Sequence, residues 1–202
     1  MSKNKLFFII FFISVILDQA TKIALVMNKA YRSEPYVVIP GFFDIVHVHN
    51  PGAAFGIMKG QMFIFAIFTI IAMVFVYYTL KELEEEDRFE NIALSLIASG
   101  AVGNAIDRTY YTITTPDNQG YVVDFLRVYI EYGPVKDWLI SQFGTYEWPS
   151  FNVADAAIVV GLIMFLIHGM FLAKDNDDLS EDLEDRKLIE DENEESKDVA
   201  ES

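Results

Sequence analysis

From Met62 to Leu80 the chain carries no charged residue at all. A run of that length matches the ~20 apolar residues a helix needs to cross the hydrocarbon core of a bilayer. Three further stretches repeat the pattern with interruptions. Leu6 to Leu17 is apolar, Asp18, Gln19 and Lys22 break in, and Ile23 to Met27 resumes. Ile92 to Ile106 is short and rich in Ala, Ser and Gly, residues that let helices approach closely in lipid. Val153 to Ala173 carries Asp155 near its start and His168 near its end. The expectation is an all-α membrane protein with four transmembrane helices.

The first stretch also has features of a secretory signal peptide, because Lys3 and Lys5 precede the apolar run. No small-x-small cleavage pattern follows it directly. Asp18 and Lys22 come instead and the apolar character returns, so it reads as a span. Four spans put both termini on one side. Lysine and arginine are balanced between the two sets of flanks. Lys3 and Lys5, which precede the first span, favour cytoplasmic termini.

Outside the spans the patterns change. Tyr36 to Ile39, the turn Pro40-Gly41, and Phe42 to His49 read as two β-strands. Between Asp124 and Phe151 lies a long aromatic segment containing Tyr129, Tyr132, Trp138, Phe143, Tyr146 and Trp148. Such rings favour the membrane–water interface, so a surface segment, partly helical, is expected there. From Asp175 to Ser202 fourteen Asp and Glu face three Lys and Arg, a net of −11 out of −15 for the chain. That composition cannot bury a core. The expected organisation is a four-helix membrane domain over 1–174 and an acidic, disordered cytoplasmic tail over 175–202.

Polar groups inside a membrane are costly, and they mark function or pair with one another. Asp18 and Lys22 share one face of the first helix. Asn104, Asp107 and Arg108 close the third stretch, Asp124 lies just beyond it, and Asn152 and Asp155 share a face at the start of the fourth. If the first, third and fourth helices pack together, these groups fall at one membrane depth. A polar cluster that glues helices competes with an active site as the reading. The chain has no cysteine, so thiol catalysis and disulfides are excluded. No serine sits in a G-x-S-x-G setting. His47 and His49 share a strand face but have no third metal ligand nearby. Carboxylates remain, and two aspartates held close raise one pKa while the other stays ionised. A transporter or proton channel would show polar residues through the full membrane depth, whereas the second stretch has none that are charged.

Five segments occur in order: Asp18-Gln19-Ala20-Thr21-Lys22, Asn50-Pro51-Gly52-Ala53-Ala54-Phe55-Gly56, Gly103-Asn104-Ala105-Ile106-Asp107-Arg108, Val122-Val123-Asp124-Phe125, and Phe151-Asn152-Val153-Ala154-Asp155. Together they resemble the blocks of the lipoprotein signal peptidases (signal peptidase II). A non-enzymatic membrane anchor with an acidic tail would leave these blocks without explanation.

The resemblance implies four transmembrane helices, a small extracytoplasmic β-element and a surface helix. It implies an intramembrane aspartyl peptidase of the bacterial cytoplasmic (inner) membrane, with its active site near the outer face. The substrates implied are diacylglyceryl-modified prolipoproteins, cut just before the lipidated cysteine. Contact with membrane lipid and inhibition by globomycin-type compounds are implied as well, and neither nucleic acid nor any metal or organic cofactor is. The family's catalytic pair matches Asp124 and Asp155. Supporting or substrate-binding positions match Asp18, Lys22, Asn50, Gly52, Asn104, Asp107, Arg108 and Asn152. Asp107 is the rival for the first catalytic position; its neighbour Arg108 is expected to hold it ionised in a salt bridge. The stretch from Asp124 to Asp155 is longer than the family pattern.

Overall fold

A computed structural model describes residues 2–28, 34–52, 62–85, 87–116 and 120–170. The acidic tail lies outside the described residues. In chain order the elements are α1 (Lys3–Met27), β1 (Tyr36–Ile39), β2 (Phe43–Asn50), α2 (Met62–Glu82), α3 (Arg88–Thr114), β3 (Val122–Val128), α4 (Gly133–Phe143) and α5 (Val153–Met170). Among the described residues four helices, α1, α2, α3 and α5, are long and apolar enough to span a membrane.

The helix α3 extends well beyond the expected 92–106. Its polar and aromatic flanks continue the helix on either side of the apolar stretch. The Asp87 carboxylate accepts the Glu90 N–H at 3.1 Å and caps the start. The end comes at Thr115, which adopts an extended backbone before Pro116, as a residue preceding proline prefers.

Burial separates the helices. Over half of the apolar window of α3 is buried, against 6% to 17% for the other three. Helix α3 is therefore the core, packed against α1 and α2, and the others turn large side chains outward. Phe8, Phe12 and Ile16 make such a stripe on α1, and Ile67, Phe68, Ile71 and Phe75 do so on α2. In a water-soluble protein those stripes would be a liability; on membrane spans they face lipid.

Small residues let α3 serve as a core. A Cβ on Gly100 would collide with the Ala154 carbonyl oxygen at the start of α5. A Cβ on Gly103 would sit 2.7 Å from Asp18 Oδ2 on α1. These two glycines allow both neighbours to approach at the level where the polar residues lie.

The β-element has three strands, ordered β1-β2-β3 and antiparallel throughout. The sequence suggested the first two. The third, Val122–Val128, was hidden because Val122 to Phe125 are all buried, so no alternation marks a strand. An extra residue in β2 between Ile45 and Val48 shifts the register, so that Val48 rather than His47 stands opposite Asp124. Such bulges re-aim side chains and recur beside active sites. Beyond β3 the chain makes the surface helix α4, with Pro134 in its first turn, a left-handed Gly144 closing it, and no buried residue. Tyr129–Glu147 and Leu126–Phe151 bridges bring the chain back alongside β3.

Candidate active site

The start of α5 is a reciprocal cap. Asn152 Oδ1 accepts the Asp155 N–H at 2.9 Å, and Asp155 Oδ2 accepts the Asn152 N–H at 3.2 Å. This is the capping-box arrangement with Asn and Asp in the two roles. It fixes the Asp155 carboxylate against the helix start and leaves its Oδ1 free to meet α3. There Asn104 Nδ2 donates to it at 2.7 Å.

Asp124 arrives from the sheet. Its strand is held to the chain before α5, where the Phe125 and Leu126 N–H groups both donate to the Phe151 carbonyl, at 3.0 and 2.8 Å. The carboxyl is 1% exposed and accepts on both oxygens. Asn152 Nδ2 reaches Oδ1 at 2.7 Å, and Asn50 Nδ2 reaches Oδ2 at 2.8 Å. The orientation of Asn50 is set by Gly52, whose N–H donates to Asn50 Oδ1 at 3.0 Å and so turns the amide nitrogen toward Asp124. Burial pushes the Asp124 carboxyl up to about 7; the charge of Asp155 adds to the rise, while the Asn50 and Asn152 amides and the Lys22 ammonium oppose it.

A second cluster adjoins the first. The Lys22 ammonium meets Asp18 Oδ2 at 2.9 Å, Asp107 Oδ2 at 3.2 Å and Asn104 Oδ1 at 3.3 Å. All four residues are buried. The expected Asp107–Arg108 pair does not form its salt bridge: Asp107 is held by Lys22, by Gln19 Nε2 at 3.1 Å and by the Val123 N–H at 3.0 Å. Consecutive helical residues point about 100° apart, so Arg108 faces elsewhere. Its guanidinium lies 3.9 Å over the Phe65 ring, and its buried Nε has no hydrogen-bond partner among the described residues. The charges of Asp155, Asp124 and Asp107 all act on it.

Two residues escaped the sequence reading. Gln19 donates to Asp18, to the Gly103 carbonyl and to Asp107; its signals were its polarity in a membrane span and its place within the first of the five segments. Asp44, buried in β2, pairs with Arg127 and accepts the Tyr129 hydroxyl at 3.0 Å. The pair ties β2 to β3, and the Tyr129 contact pins the sheet to the chain leading into α4. His49 stacks on Tyr121 with ring centres 3.9 Å apart.

Ten polar residues from α1, the sheet, α3 and the start of α5 thus converge on one polar region. The signal peptidase (SPase) II family model matches residues 10–171. The chain belongs to the signal peptidase II family. It is 35% identical over 161 residues to the lipoprotein signal peptidase of Bacillus pumilus, covering 80% of this chain and 90% of that one. It is 38% identical over 172 residues to the lipoprotein signal peptidase of Maridesulfovibrio salexigens, covering 83% and 96%. In fold it is similar to a bacterial membrane enzyme solved by the in meso method at 2.3 Å, with a TM-score of 0.62, 34% identity, and coverage of 84% of this chain and 88% of that one. Family membership makes this multi-pass membrane protein a peptidase.

Proposed function

We propose that the chain is an aspartyl signal peptidase II that cuts diacylglyceryl-modified prolipoproteins just before the lipidated cysteine, with Asp124 and Asp155 as its catalytic pair. The observation that carries this reading is Asn152. Its side chain touches Asp124 and its backbone N–H touches Asp155, so the two carboxyls stand on either side of one residue. Asp155, the more exposed of the two, acts as the ionised base. It takes a proton from water as the water oxygen attacks the scissile carbonyl carbon. Asp124, enclosed and raised to about 7, gives its proton to the carbonyl oxygen. As the tetrahedral species collapses and the C–N bond breaks, the proton held by Asp155 passes to the leaving amine and one hydroxyl returns its proton to Asp124, which leaves a carboxylic acid product and the pair as it began.

Asn152 spends both amide hydrogens, on Asp124 and on Asn104, and Asn104 spends one on Asp155. Their role is therefore to orient the pair. Arg108 is the charged donor beside the pair that is left to meet a substrate carbonyl.

The test is cleavage of a diacylated prolipoprotein by the purified chain in detergent, followed across pH. With Asp124 as the acid, kcat/KM is expected to fall as pH rises through about 7, because the proton to be donated is lost. A rise through the same region would exchange the two roles, and absence of cleavage would overturn the reading. Globomycin-type inhibition is expected in the same assay.

Positive residues precede the first span, so we place both termini in the cytoplasm and the site near the outer face of the bacterial inner membrane. The domain that cleaves is 1–174. Deleting 178–202, with its dense acidic charge and few apolar residues, is expected to leave kcat/KM within about twofold. A large loss of turnover in the truncated enzyme would show that the tail belongs to the working structure.

A further inference from the structure

The Lys22 ammonium is bound by three side chains, and each of them reaches the catalytic pair by a different route. Asp18 holds the ammonium with Oδ2 and accepts the Ala154 N–H with Oδ1 at 2.9 Å. Ala154 immediately precedes Asp155. Asp107 holds the ammonium with Oδ2, and that oxygen also accepts the Val123 N–H at 3.0 Å. Val123 immediately precedes Asp124. Asn104 holds the ammonium with Oδ1, shares that oxygen with Asn152 Nδ2 at 3.2 Å, and donates Nδ2 to Asp155 Oδ1 at 2.7 Å. One arm ends on the backbone beside Asp155, one on the backbone beside Asp124, and one on the Asp155 carboxylate itself.

We propose that Lys22 is the positioning residue for both halves of the catalytic pair, acting through Asp18, Asn104 and Asp107 without touching substrate. The third arm works by orientation. The two ends of an asparagine amide are nearly the same size, so sterics alone do not choose between them. The ammonium and the Asn152 amide both donate to Oδ1, and together they hold the orientation that turns Nδ2 toward Asp155. Loss of the ammonium removes the charged half of that hold. The other two arms work by charge. Asp18 and Asp107 are both buried, and each meets the shared cation with Oδ2 while accepting an N–H of α5 or β3.

This inference rests on the proposed catalytic pair, and its test keeps the two separate. A cavity of about 370 Å³ reaches Lys22, lined also by Gln19, Ile23, Asp107, Tyr110 and Val123. It gives a small amine a way in. In Lys22→Ala, kcat is expected to fall by about 10- to 100-fold, since small misplacements of reacting groups carry costs of that order, with KM moving less than about threefold. Added propylammonium, which replaces the missing side chain, is expected to restore much of the rate, and propanol is not.

The pH profile is the second readout. The charged groups that interact with Asp124 are Lys22 on α1, Arg108 on α3 and Asp155 on α5; Asp18 and Asp107 stand one contact away, on the Lys22 ammonium. Of these, Lys22 opposes the rise at Asp124. Losing it is expected to move the descending limb of kcat/KM to higher pH. Where Lys22→Ala yields no folded protein, the triple variant Asp18→Asn, Lys22→Ala, Asp107→Asn removes the buried charges together and is measured in the same way. A folded single or triple variant with kcat within threefold of the parent and an unmoved pH profile overturns the inference. Asp155→Asn, run in parallel, reports on the catalytic pair. If it stays active, the reading beneath has failed, whereas a dead Asp155→Asn beside a fully active Lys22→Ala defeats the positioning role alone.

Discussion

Asp124→Asn is expected to eliminate cleavage while leaving the melting temperature in detergent unchanged or higher. The loss follows from chemistry. An amide has no acidic proton to give to the carbonyl oxygen, and removing a general acid costs roughly 10²- to 10⁴-fold. The stability follows from how the carboxyl is held. Asp124 is 1% exposed and its carboxyl is pushed up to about 7, against an ordinary value of 3.8, first by burial and then by the charge of Asp155. Between those two values the folded state binds more protons than the unfolded one, so stability falls as pH rises through that window. Well above pH 7 the buried, ionised Asp124 costs on the order of a few kcal/mol. Asparagine does not ionise, so the gain in melting temperature should be largest at pH 8 to 9 and vanish near pH 4. Its Oδ1 can still accept from one of the two amides that now serve the carboxyl, and it loses the other bond, which limits the gain. A variant that retains near-normal cleavage would remove Asp124 from the catalytic pair. A variant that is dead and also melts far below the parent would show that the carboxyl is needed for the fold.

The spans were legible because lipid imposes a simple rule on composition, and the uncharged run from Met62 to Leu80 satisfies it without help from tertiary contacts. Their ends were less so. Helix α3 was read as ending at Ile106 but continues to Thr114, because its last turns lie in polar and aromatic sequence that carries no apolar signal. Strand β3 was missed for the opposite reason, its first residues being buried on both faces. The polar residues of the site were legible by type, since a carboxylate, amide or ammonium in a membrane span demands a partner. Their partners were not. Sequence adjacency suggested Asp107 with Arg108, but the helix turns neighbouring side chains apart, and the true partner of Asp107 is Lys22 on another helix. The same limit hid the double use of Asn152, which depends on α5 starting where β3 ends its buried run.

Asp107 lies within α3 and Asp124 on β3, and substituting each by asparagine should produce different failures. Asp107 is held by the Lys22 ammonium at 3.2 Å, by Gln19 and by the Val123 N–H. Those three donors already occupy both of its oxygens. Asparagine at 107 keeps one oxygen for these donors and turns an N–H₂ group toward another, so one buried contact becomes a clash of donors. Lys22 retains Asp18, which limits the damage. The expected cost is about 1–3 kcal/mol of stability, the order found when a buried polar group loses its partner. It should appear as a melting temperature several degrees lower in detergent. Cleavage should persist at a reduced rate, about tenfold down, since one of the arms that place Asp124 is weakened while the acid itself is intact. The decisive comparison sets melting temperature against kcat for both variants in the same detergent. If Asp124→Asn were active but unstable while Asp107→Asn were stable but dead, the catalytic pair would move to Asp107 and Asp155. The proton donor would then be a group whose oxygens are already held by Lys22, Gln19 and the Val123 N–H, which is the arrangement the geometry of this cluster argues against.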